Sequence, residues 1–254
     1  MRIAIAGGTG TVGRHAVEAA RERGHEVVVL TRSNGIDLAS GRGVDDALRG
    51  VDVVIDASNI DTTSAKKATE FFTTVTRNLL AAEERAGVRH HVVPSIVGID
   101  RAPYGYYAAK LAQEHAVEAG AVPWTIVRAM QFHEFAGQVL ERLTVAGIHL
   151  APRVRTQPVA AREVGERLVE VAEGAPLGHA PDFAGPHEER LEDMVRRYAH
   201  ATGVRGPVIA VSLPNKQLAA MRRGETLPGP DAMLGRQTFD EWVAEQATAA
   251  QPAQ

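Results

Sequence analysis

The feature that most constrains the fold is a glycine-rich turn near the N-terminus, which reads AGGTGTVGR over residues 6–14 and follows a short apolar run. Two glycine spacings coexist in it: Gly8, Gly10 and Gly13 form G-x-G-x-x-G, and Gly7, Gly10 and Gly13 form G-x-x-G-x-x-G. In both, the glycines permit a tight turn and close approach of a pyrophosphate, while the following helix offers unpaired N–H groups. The turn therefore indicates a dinucleotide-binding βαβ unit; the alternative is a turn that only packs a helix against a sheet.

The rest of the N-terminal half alternates short apolar runs with helical stretches, the pattern of βαβ units on a parallel sheet. The predicted strands are Ile3–Ala6, Val27–Leu30, Val51–Ile55, His91–Val93 and Trp124–Val127. The predicted helices of this half are Val12–Arg23, Val44–Leu48, Ala65–Ala86 and Tyr106–Glu118. After residue 129 prolines divide the chain into short elements, and helices are predicted at Glu163–Glu173, Glu188–Thr202 and Phe239–Gln246.

These elements predict an α/β fold, a Rossmann-type doubly wound parallel sheet with a small C-terminal cap that binds substrate. Residues 1–129 are expected to form the NAD(P)-binding domain and residues 130–246 a mixed cap that forms the substrate pocket. The polar, small-residue tail at 247–254 is expected to be disordered.

Composition narrows the function classes. The chain has no cysteine, so disulfides, thiolate metal sites and cysteine nucleophiles are excluded. A net charge of −3 argues against a nucleic-acid surface, and no apolar run approaches the roughly 20 residues of a membrane helix. No histidine and carboxylate spacing indicates a metal site. We expect a cytoplasmic protein, monomer or homodimer, that acts on a small molecule without nucleic-acid or membrane partners.

The residues after the second strand indicate which dinucleotide binds. NAD-binding folds usually place a carboxylate about 20 residues beyond the glycines, where it accepts from the ribose 2′-hydroxyl. This chain has Thr31 and Arg32 there instead, and Arg32 could pair with a 2′-phosphate, so NADP (NADPH) is predicted. The alternative is that Arg32 is a solvated surface residue. The predicted cofactor-binding residues are Gly7, Thr9, Gly10, Thr11, Val12, Gly13, Thr31, Arg32, Ala57 and Ser58.

A second group of residues can carry proton chemistry. Tyr106 and Lys110 lie four residues apart on one face of a predicted helix. A nearby ammonium is expected to lower the pKa of the phenol, so that Tyr106 can protonate a carbonyl oxygen while hydride reaches the carbon. Ser95, at the end of the fourth strand, could donate a hydrogen bond to the same oxygen. Tyr107 is a rival for the role of the acid, and otherwise a residue of the substrate pocket.

These motifs together resemble the short-chain dehydrogenase/reductase superfamily. More narrowly, three segments resemble its atypical, NmrA-like branch: HVVPSIVG at His91–Gly98, GYYAAKLAQE at Gly105–Glu114 and WTIVRAMQFHEF at Trp124–Phe135. The resemblance extends over residues 1–162. It implies that Lys110 also binds the nicotinamide ribose and that the loop Met130–Phe135 covers the nicotinamide and shapes the substrate pocket.

In that loop Gln131, Phe132 and His133 are the candidate substrate-binding residues, although a lone histidine is more often a hydrogen-bonded structural residue. The leading hypothesis is an NADPH-dependent oxidoreductase that transfers hydride to a carbonyl, quinone or enone of a small, partly apolar substrate. Two alternatives stay open. One is a non-catalytic NADP-binding sensor, and the other is a redox-neutral isomerase or epimerase that uses bound NADP.

Overall fold

A computed structural model describes residues 1–250 of the chain. The chain divides into two compact units: unit 1 comprises Met1–Ala129 and Ala161–Pro181, and unit 2 comprises Met130–Ala160 and the residues from Asp182 onward. This division differs from the predicted domains, because Ala161–Pro181 falls in unit 1 and not in the C-terminal region. Within residues 1–250 no helix combines the length and the apolar character needed to cross a membrane.

The elements follow one another as strands and helices in chain order. The strands are β1 Arg2–Ala6, β2 Glu26–Leu30, β3 Val53–Asp56, β4 His90–Ile96, β5 Trp124–Ala129, β6 Thr144–Val145, β7 Ile148–Pro152, β8 Arg155–Thr156, β9 Gly178–His179, β10 Phe183–Ala184, β11 Glu189–Arg190, β12 Val208–Val211 and β13 Met233–Leu234. The helices are α1 Gly13–Glu22, α2 Val44–Ala47, α3 Ala65–Ala86, α4 Tyr106–Glu118, α5 Phe135–Arg142, α6 Ala161–Glu173, α7 Leu191–Ala201, α8 Lys216–Arg223 and α9 Phe239–Ala250.

Unit 1 is built on a parallel sheet. Its strand order is β5-β4-β3-β1-β2, and the short β9 also pairs with β5. The chain runs outward from β1 to β2 and then crosses back to β3, which places helices on both faces, as in a doubly wound fold. The predicted Rossmann-type α/β fold is confirmed. Strand β3 is buried along its whole length and β4 along its first four residues, as expected for central strands covered on both faces.

Local sequence signals set the helices that carry the site. Helix α3 begins after Ser64, whose hydroxyl accepts a hydrogen bond from the backbone N–H of Lys67 at 3.3 Å, and it ends at Gly87 in the left-handed conformation. Its buried face includes Phe72 and Thr76. Helix α4 begins directly after Gly105, a residue with φ of 56°. The predicted bounds of both helices are those of the structure.

Helix α6 belongs to unit 1 because it packs closely on α1. A Cβ atom added at Gly165 would lie 2.7 Å from the backbone nitrogen of Ala16, so only glycine permits this approach of the two helices. Sequence periodicity predicts that α6 exists but not which helix it contacts, and the predicted boundary at residue 129 therefore missed the return of the chain to unit 1.

Unit 2 has short strands and its own core. Strands β12, β7 and β6 form one sheet, β8 pairs with β11, and β10 pairs with β13. Helices α5, α7 and α9 share a buried cluster that includes Leu191, Met194 and Trp242. Helices α5 and α8 were not predicted. The expected disorder of the tail needs correction, because α9 continues through residues 247–250, while residues 251–254 lie outside the described part of the chain.

Candidate functional site

The glycine-rich turn after β1 is closed by its own backbone. The N–H of Gly10 donates to the carbonyl of Gly7 at 2.9 Å, and Gly7 has a φ of 68°. A Cβ atom at Gly7 would lie 2.3 Å from the carbonyl oxygen of Ala57, and one at Gly13 would lie 2.1 Å from the carbonyl oxygen of Gly7. No side chain fits at either position, whereas the nearest atom to a Cβ at Gly10 is 3.2 Å away.

The tip of this turn is open to solvent. Thr9 and Gly10 are exposed and Thr11 is half-buried, whereas Val12 and Gly13 are buried where α1 begins. In the described residues no side chain caps α1, and its first turn has no acidic residue, so no carboxylate there offsets the positive end of the helix dipole, which lies at the turn. A backbone cradle of this kind fits the diphosphate of a dinucleotide.

The end of β2 carries the predicted specificity residues. Arg32 lies in a short 3₁₀ turn over Arg32–Asn34 and is exposed, and within residues 1–250 its guanidinium makes no hydrogen bond or ion pair. Thr31 precedes it and its hydroxyl is hydrogen-bonded to that of Ser33 at 2.8 Å. The side chain of Asn34 donates to the carbonyl of Val29 at 3.1 Å and stabilises the turn. Arg32 is therefore available to a phosphate.

The carboxyl ends of β3 and β4 present two buried hydroxyl groups. Ser58, after β3, and Ser95, in β4, are 7% and 6% exposed, and neither hydroxyl has a hydrogen-bond partner among the described residues. Ala57 lies half-buried between Asp56 and Ser58, beside the glycine turn. Buried hydroxyls without protein partners are suited to bind a polar ligand. The structure thus brings the predicted Ala57 and Ser58 to the turn.

Tyr106 is held by contacts with the loop that follows β3 and with α3. Its hydroxyl donates to the side-chain oxygen of Asn59 at 2.8 Å, and its ring packs edge-on against Phe72 at 5.6 Å between centroids. Burial raises the pKa of Tyr106 to about 12. The lowered pKa expected from a neighbouring ammonium is therefore wrong for this structure, because the burial of the phenol dominates. The neighbouring Tyr107 is buried, at 5% exposure.

Lys110 is buried at 6% exposure, and its ammonium is directed into unit 1. It donates to the carbonyl of Pro94 at 2.8 Å and to the side-chain oxygen of Gln113, and it lies 4.8 Å from the centre of the Phe72 ring. Burial lowers the pKa of Lys110 to about 8, against the opposing charges of Asp56 and Glu114. Phe72 thus contacts both Tyr106 and Lys110. Their catalytic roles, and that of Ser95, stay predictions.

Sequence reasoning missed the polar residues buried around Lys110. The side chain of Gln113 donates to Asp56 at 3.0 Å and to Thr76 at 3.2 Å, and all three residues are almost fully buried. The signal for Gln113 was available, since it lies three residues after Lys110 on the same helix face. Asp56 and Thr76 come from β3 and α3, and no local pattern relates them to α4.

Two ion pairs complete the buried surroundings. His91 and Glu83 are both fully buried and lie 2.8 Å apart. Burial lowers the pKa of His91, but the charge and hydrogen bond of Glu83 and the charge of Asp56 outweigh it, so the pKa is raised. Arg128 binds Glu114 through two hydrogen bonds of 3.0 and 2.7 Å.

The candidate substrate residues of unit 2 make contacts within that unit. The side-chain oxygen of Gln131 accepts a hydrogen bond from Thr156 at 2.6 Å, and Phe132 forms a β-bridge with Val159. His133 is fully buried, and its Nε2 donates to the carbonyl of Gln237 at 3.1 Å. Burial lowers the pKa of His133 to about 4, so the ring is neutral near pH 7. These contacts fit a structural histidine, and the substrate roles stay predictions.

A surface groove of about 640 Å³ lies between α3 and α4, away from these residues. Its lining includes Arg77, Glu84, His115 and several alanines, and none of the predicted site residues. The chemistry of the site therefore belongs to the strand ends and not to this groove.

Comparison with known proteins assigns the chain to a family. Residues 34–173, more than half of the chain, match the model of a family described as NAD(P)H-binding. The chain belongs to this NAD(P)H-binding family. The matched range includes Tyr106 and Lys110, and it begins after the glycine turn and after Arg32. The match confirms the NAD(P)H-binding part of the resemblance, and a solved structure of the short-chain dehydrogenase/reductase superfamily shares the fold.

Individual relatives match only part of this chain and only part of their own length. The chain is 29% identical over 171 residues to phenylcoumaran benzylic ether reductase 1 of Arabidopsis thaliana, covering 60% of the chain and 54% of the relative. It is 32% identical over 111 residues to the photosystem II assembly factor Ycf39 of Synechocystis sp., covering 38% of the chain and 34% of the relative. The chain thus spans about half, or less, of the length of these relatives.

Solved structures share the fold over nearly the whole chain. An NADPH-dependent quinone oxidoreductase from Escherichia coli, complexed with NADPH, has a TM-score of 0.73 at 18% identity, covering 96% of this chain and 99% of that one. Triphenylmethane reductase from Citrobacter sp. has a TM-score of 0.73 at 16% identity, covering 98% and 100%. At these identities the likeness shows the fold.

Proposed function

We propose that this family member is an NADPH-dependent oxidoreductase that transfers hydride to a carbonyl, quinone or enone of a small, partly apolar substrate. The observation that carries the proposal is the backbone cradle of the glycine turn, which excludes side chains at Gly7 and Gly13 and leaves Thr9 and Gly10 exposed at its tip. Gly7, Gly10 and Gly13, with Ala57 and Ser58 beside them, would hold the diphosphate.

The preference for NADPH rests on Arg32. An exposed guanidinium without a protein partner, at the end of β2, can pair with the two oxygens of a 2′-phosphate. No carboxylate stands at Thr31–Ser33 to accept from a free 2′-hydroxyl, which is the interaction that favours NAD.

When bound, NADPH supplies a hydride, one proton with two electrons, to the carbonyl carbon. The carbonyl oxygen then needs one proton to complete the alcohol, and the Tyr106 hydroxyl, protonated at neutral pH because its pKa is about 12, can donate it. The hydroxyl of Ser95, which has no partner among the described residues, can donate a hydrogen bond to the same oxygen. Lys110 holds positive charge at this strand edge and can bind the nicotinamide ribose.

The test is to titrate the protein with NADPH and NADH by calorimetry, and then to follow nicotinamide absorbance with a panel of quinones, enones and aldehydes. We expect tighter binding of NADPH than of NADH and turnover with at least one acceptor class. Absence of binding heat with both nucleotides would refute the proposal as a whole.

A second candidate is a non-catalytic NADP-binding regulator. It is favoured by the contacts of the site: Tyr106 donates to Asn59 and its pKa is raised, and the Lys110 ammonium donates to Pro94 and Gln113. The likeness to an assembly factor supports the same reading. NADPH binding without turnover across the whole panel would favour this candidate over a reductase.

A further inference from the structure

The side chain of Gln113 is at the centre of the buried polar cluster in unit 1. It is 1% exposed, its oxygen accepts a hydrogen bond from the Lys110 ammonium, and its nitrogen donates to Asp56 and Thr76 at 3.0 and 3.2 Å. A buried amide satisfied on both ends is costly to disturb. Gln113 has no place in the proposed chemistry, because its contacts are with other side chains.

The chemistry of its partners fixes which way this amide points. An ionised carboxylate only accepts hydrogen bonds, and an ammonium only donates them. The NH₂ group of Gln113 must therefore face Asp56, and its oxygen must face Lys110. The reverse orientation would place oxygen against oxygen at Asp56 and N–H against N–H at Lys110.

Asp56 is in turn held by the backbone. It is fully buried at the end of β3, and one carboxylate oxygen accepts from the N–H of Ser58 at 3.1 Å while the other accepts from Gln113. The ammonium of Lys110 has a second acceptor on β4, the carbonyl of Pro94 at 2.8 Å. Two acceptors, tied to two neighbouring strands, therefore set the direction of the ammonium.

We propose that Gln113 is a positioning residue for Lys110: its amide, oriented by Asp56 and Thr76, holds the Lys110 ammonium in one direction and stabilises its charged form. This inference rests on the proposed function for its catalytic meaning, since Lys110 is the cation at the proposed nicotinamide site. The geometry of the cluster itself is independent of any cofactor.

The charged groups around Lys110 determine the sign of the effect. Asp56 on β3 and Glu114 on α4 favour the ammonium, and burial opposes it. Arg128 on β5 binds Glu114, and His91 on β4 is paired with Glu83 of α3. Because a hydrogen-bond acceptor at an ammonium favours the charged form, loss of the Gln113 oxygen is expected to lower the pKa of Lys110.

The chain makes a direct measurement simple, because it has four lysines and the other three, Lys66, Lys67 and Lys216, are exposed. The pKa of Lys110 can be followed by carbon-13 NMR of the lysine Cε atoms, with the three exposed lysines as internal references. Gln113→Met keeps the volume but removes the acceptor and the donors. We expect the pKa of Lys110 to fall by about one unit, a tenfold change in its dissociation constant.

Two further variants keep the test decisive. Gln113→Glu retains an oxygen toward Lys110, so the pKa of Lys110 should stay at or above its value in the unmodified protein. This variant still tests the inference if Gln113→Met does not fold. Gln217→Met, the same substitution on α8, should leave the pKa of Lys110 unchanged. An unchanged Lys110 pKa in folded Gln113→Met, or a fall in Gln113→Glu, would overturn the inference.

The outcome is separable from that of the proposed function, since the titration needs neither nucleotide nor turnover. If the protein turns over NADPH but Gln113→Met leaves the Lys110 pKa in place, the function stands and the positioning role is wrong. If the pKa falls but no nucleotide binds, the positioning role stands and the function is wrong. In an active enzyme the pH profile of kcat/KM should shift in the same direction as the pKa.

Discussion

The glycine turn and the Lys110 cluster both lie at the carboxyl ends of parallel strands in unit 1, yet they are built in opposite ways. The turn is exposed and uses backbone groups, and its geometry depends on the absence of side chains at Gly7 and Gly13. The cluster is buried and uses side chains from three elements, among them Asp56, Thr76 and Gln113.

This difference decides what each region tolerates. In the turn, a Cβ atom added at Gly7 or Gly13 forces the backbone apart, while substitutions at exposed neighbours leave the backbone in place. In the cluster, each polar atom is matched to another, so a change affects charge and direction more than the course of the backbone. Substitutions in the two regions should therefore change different measured quantities. In the turn they should change nucleotide binding and stability, and in the cluster the reaction rate and the pKa of Lys110.

The largest effect should come from Gly13→Ala. Its Cβ atom would lie 2.1 Å from the carbonyl oxygen of Gly7, so the turn must open. We expect no detectable heat on NADPH addition and a free energy of unfolding lower by about 3 kcal/mol or more. Calorimetry and urea denaturation measure the two quantities.

Gly10→Ala is the matched control in the same turn, because its Cβ atom would be 3.2 Å from the nearest atom, a contact that a small shift relieves. It should leave the free energy of unfolding within about 1 kcal/mol of the original value, while NADPH binding weakens because a methyl group then stands where the diphosphate approaches. An equal loss of stability in Gly10→Ala and Gly13→Ala would show that the space for a Cβ atom does not decide the effect of a substitution in this turn.

The next effect separates rate from binding in the cluster. Tyr106→Phe retains the ring that packs on Phe72 and removes only the hydroxyl that donates to Asn59. If Tyr106 is the acid, kcat should fall by about 100-fold or more while NADPH affinity is nearly unchanged. Steady-state kinetics and calorimetry on the same preparation provide the comparison.

Tyr107→Phe is the control for that experiment, since Tyr107 is the adjacent residue and is buried. A large loss of rate in Tyr107→Phe with little change in Tyr106→Phe would move the role of the acid by one residue. No loss in either variant would remove the tyrosines from the mechanism.

A smaller effect is expected at the exposed edge of the cofactor site. Arg32→Asp replaces a cation that has no ion pair within residues 1–250 by an anion, which repels a 2′-phosphate and can accept from a 2′-hydroxyl. The ratio of NADPH to NADH affinity should fall by about 10-fold to 100-fold. The exposed neighbour Ser33→Asp tests whether charge anywhere in this turn suffices; an equal change in ratio would detach the preference from Arg32.

The same contrast explains what the sequence could predict. Glycine spacing and hydrophobic periodicity are local signals, and they predicted the turn, the five main strands and the helices α3 and α4 closely. The pair Tyr106 and Lys110 was also visible, because four residues on a helix are neighbours. Local patterns thus capture what a few consecutive residues determine.

What the sequence did not predict depends on distant residues meeting. Lys110 donates to the carbonyl of Pro94, which lies on β4. The orientation of its other partner, Gln113, depends on Asp56, which is 57 positions away in the sequence. The assignment of α6 to unit 1 depends on a close approach at Gly165. In unit 2, where strands of two residues alternate with short helices, the periodic signal is too short to reveal α5 or α8.

The smallest effect concerns His133 of unit 2, which is a buried base like Lys110 but is packed among rings, 5.6 Å from Phe239 and 5.9 Å from Trp242. Burial lowers its pKa from 6.5 to about 4. Below pH 6.5 the unfolded chain binds a proton that the folded chain does not, so stability is full above pH 6.5 and falls as the pH falls toward 4. In His133→Asn the change in the free energy of unfolding with pH should therefore be smaller by up to about 1.4 kcal/mol per pH unit, the value for one proton.

Urea denaturation from pH 4 to 7 measures this slope. Phe239→Leu disturbs the same packing but removes no titrating group, so it should lower stability and leave the slope unchanged. An unaltered slope in His133→Asn would mean that other groups, such as His90, whose pKa is also lowered to about 4 by burial and the charge of His91, carry the acid sensitivity.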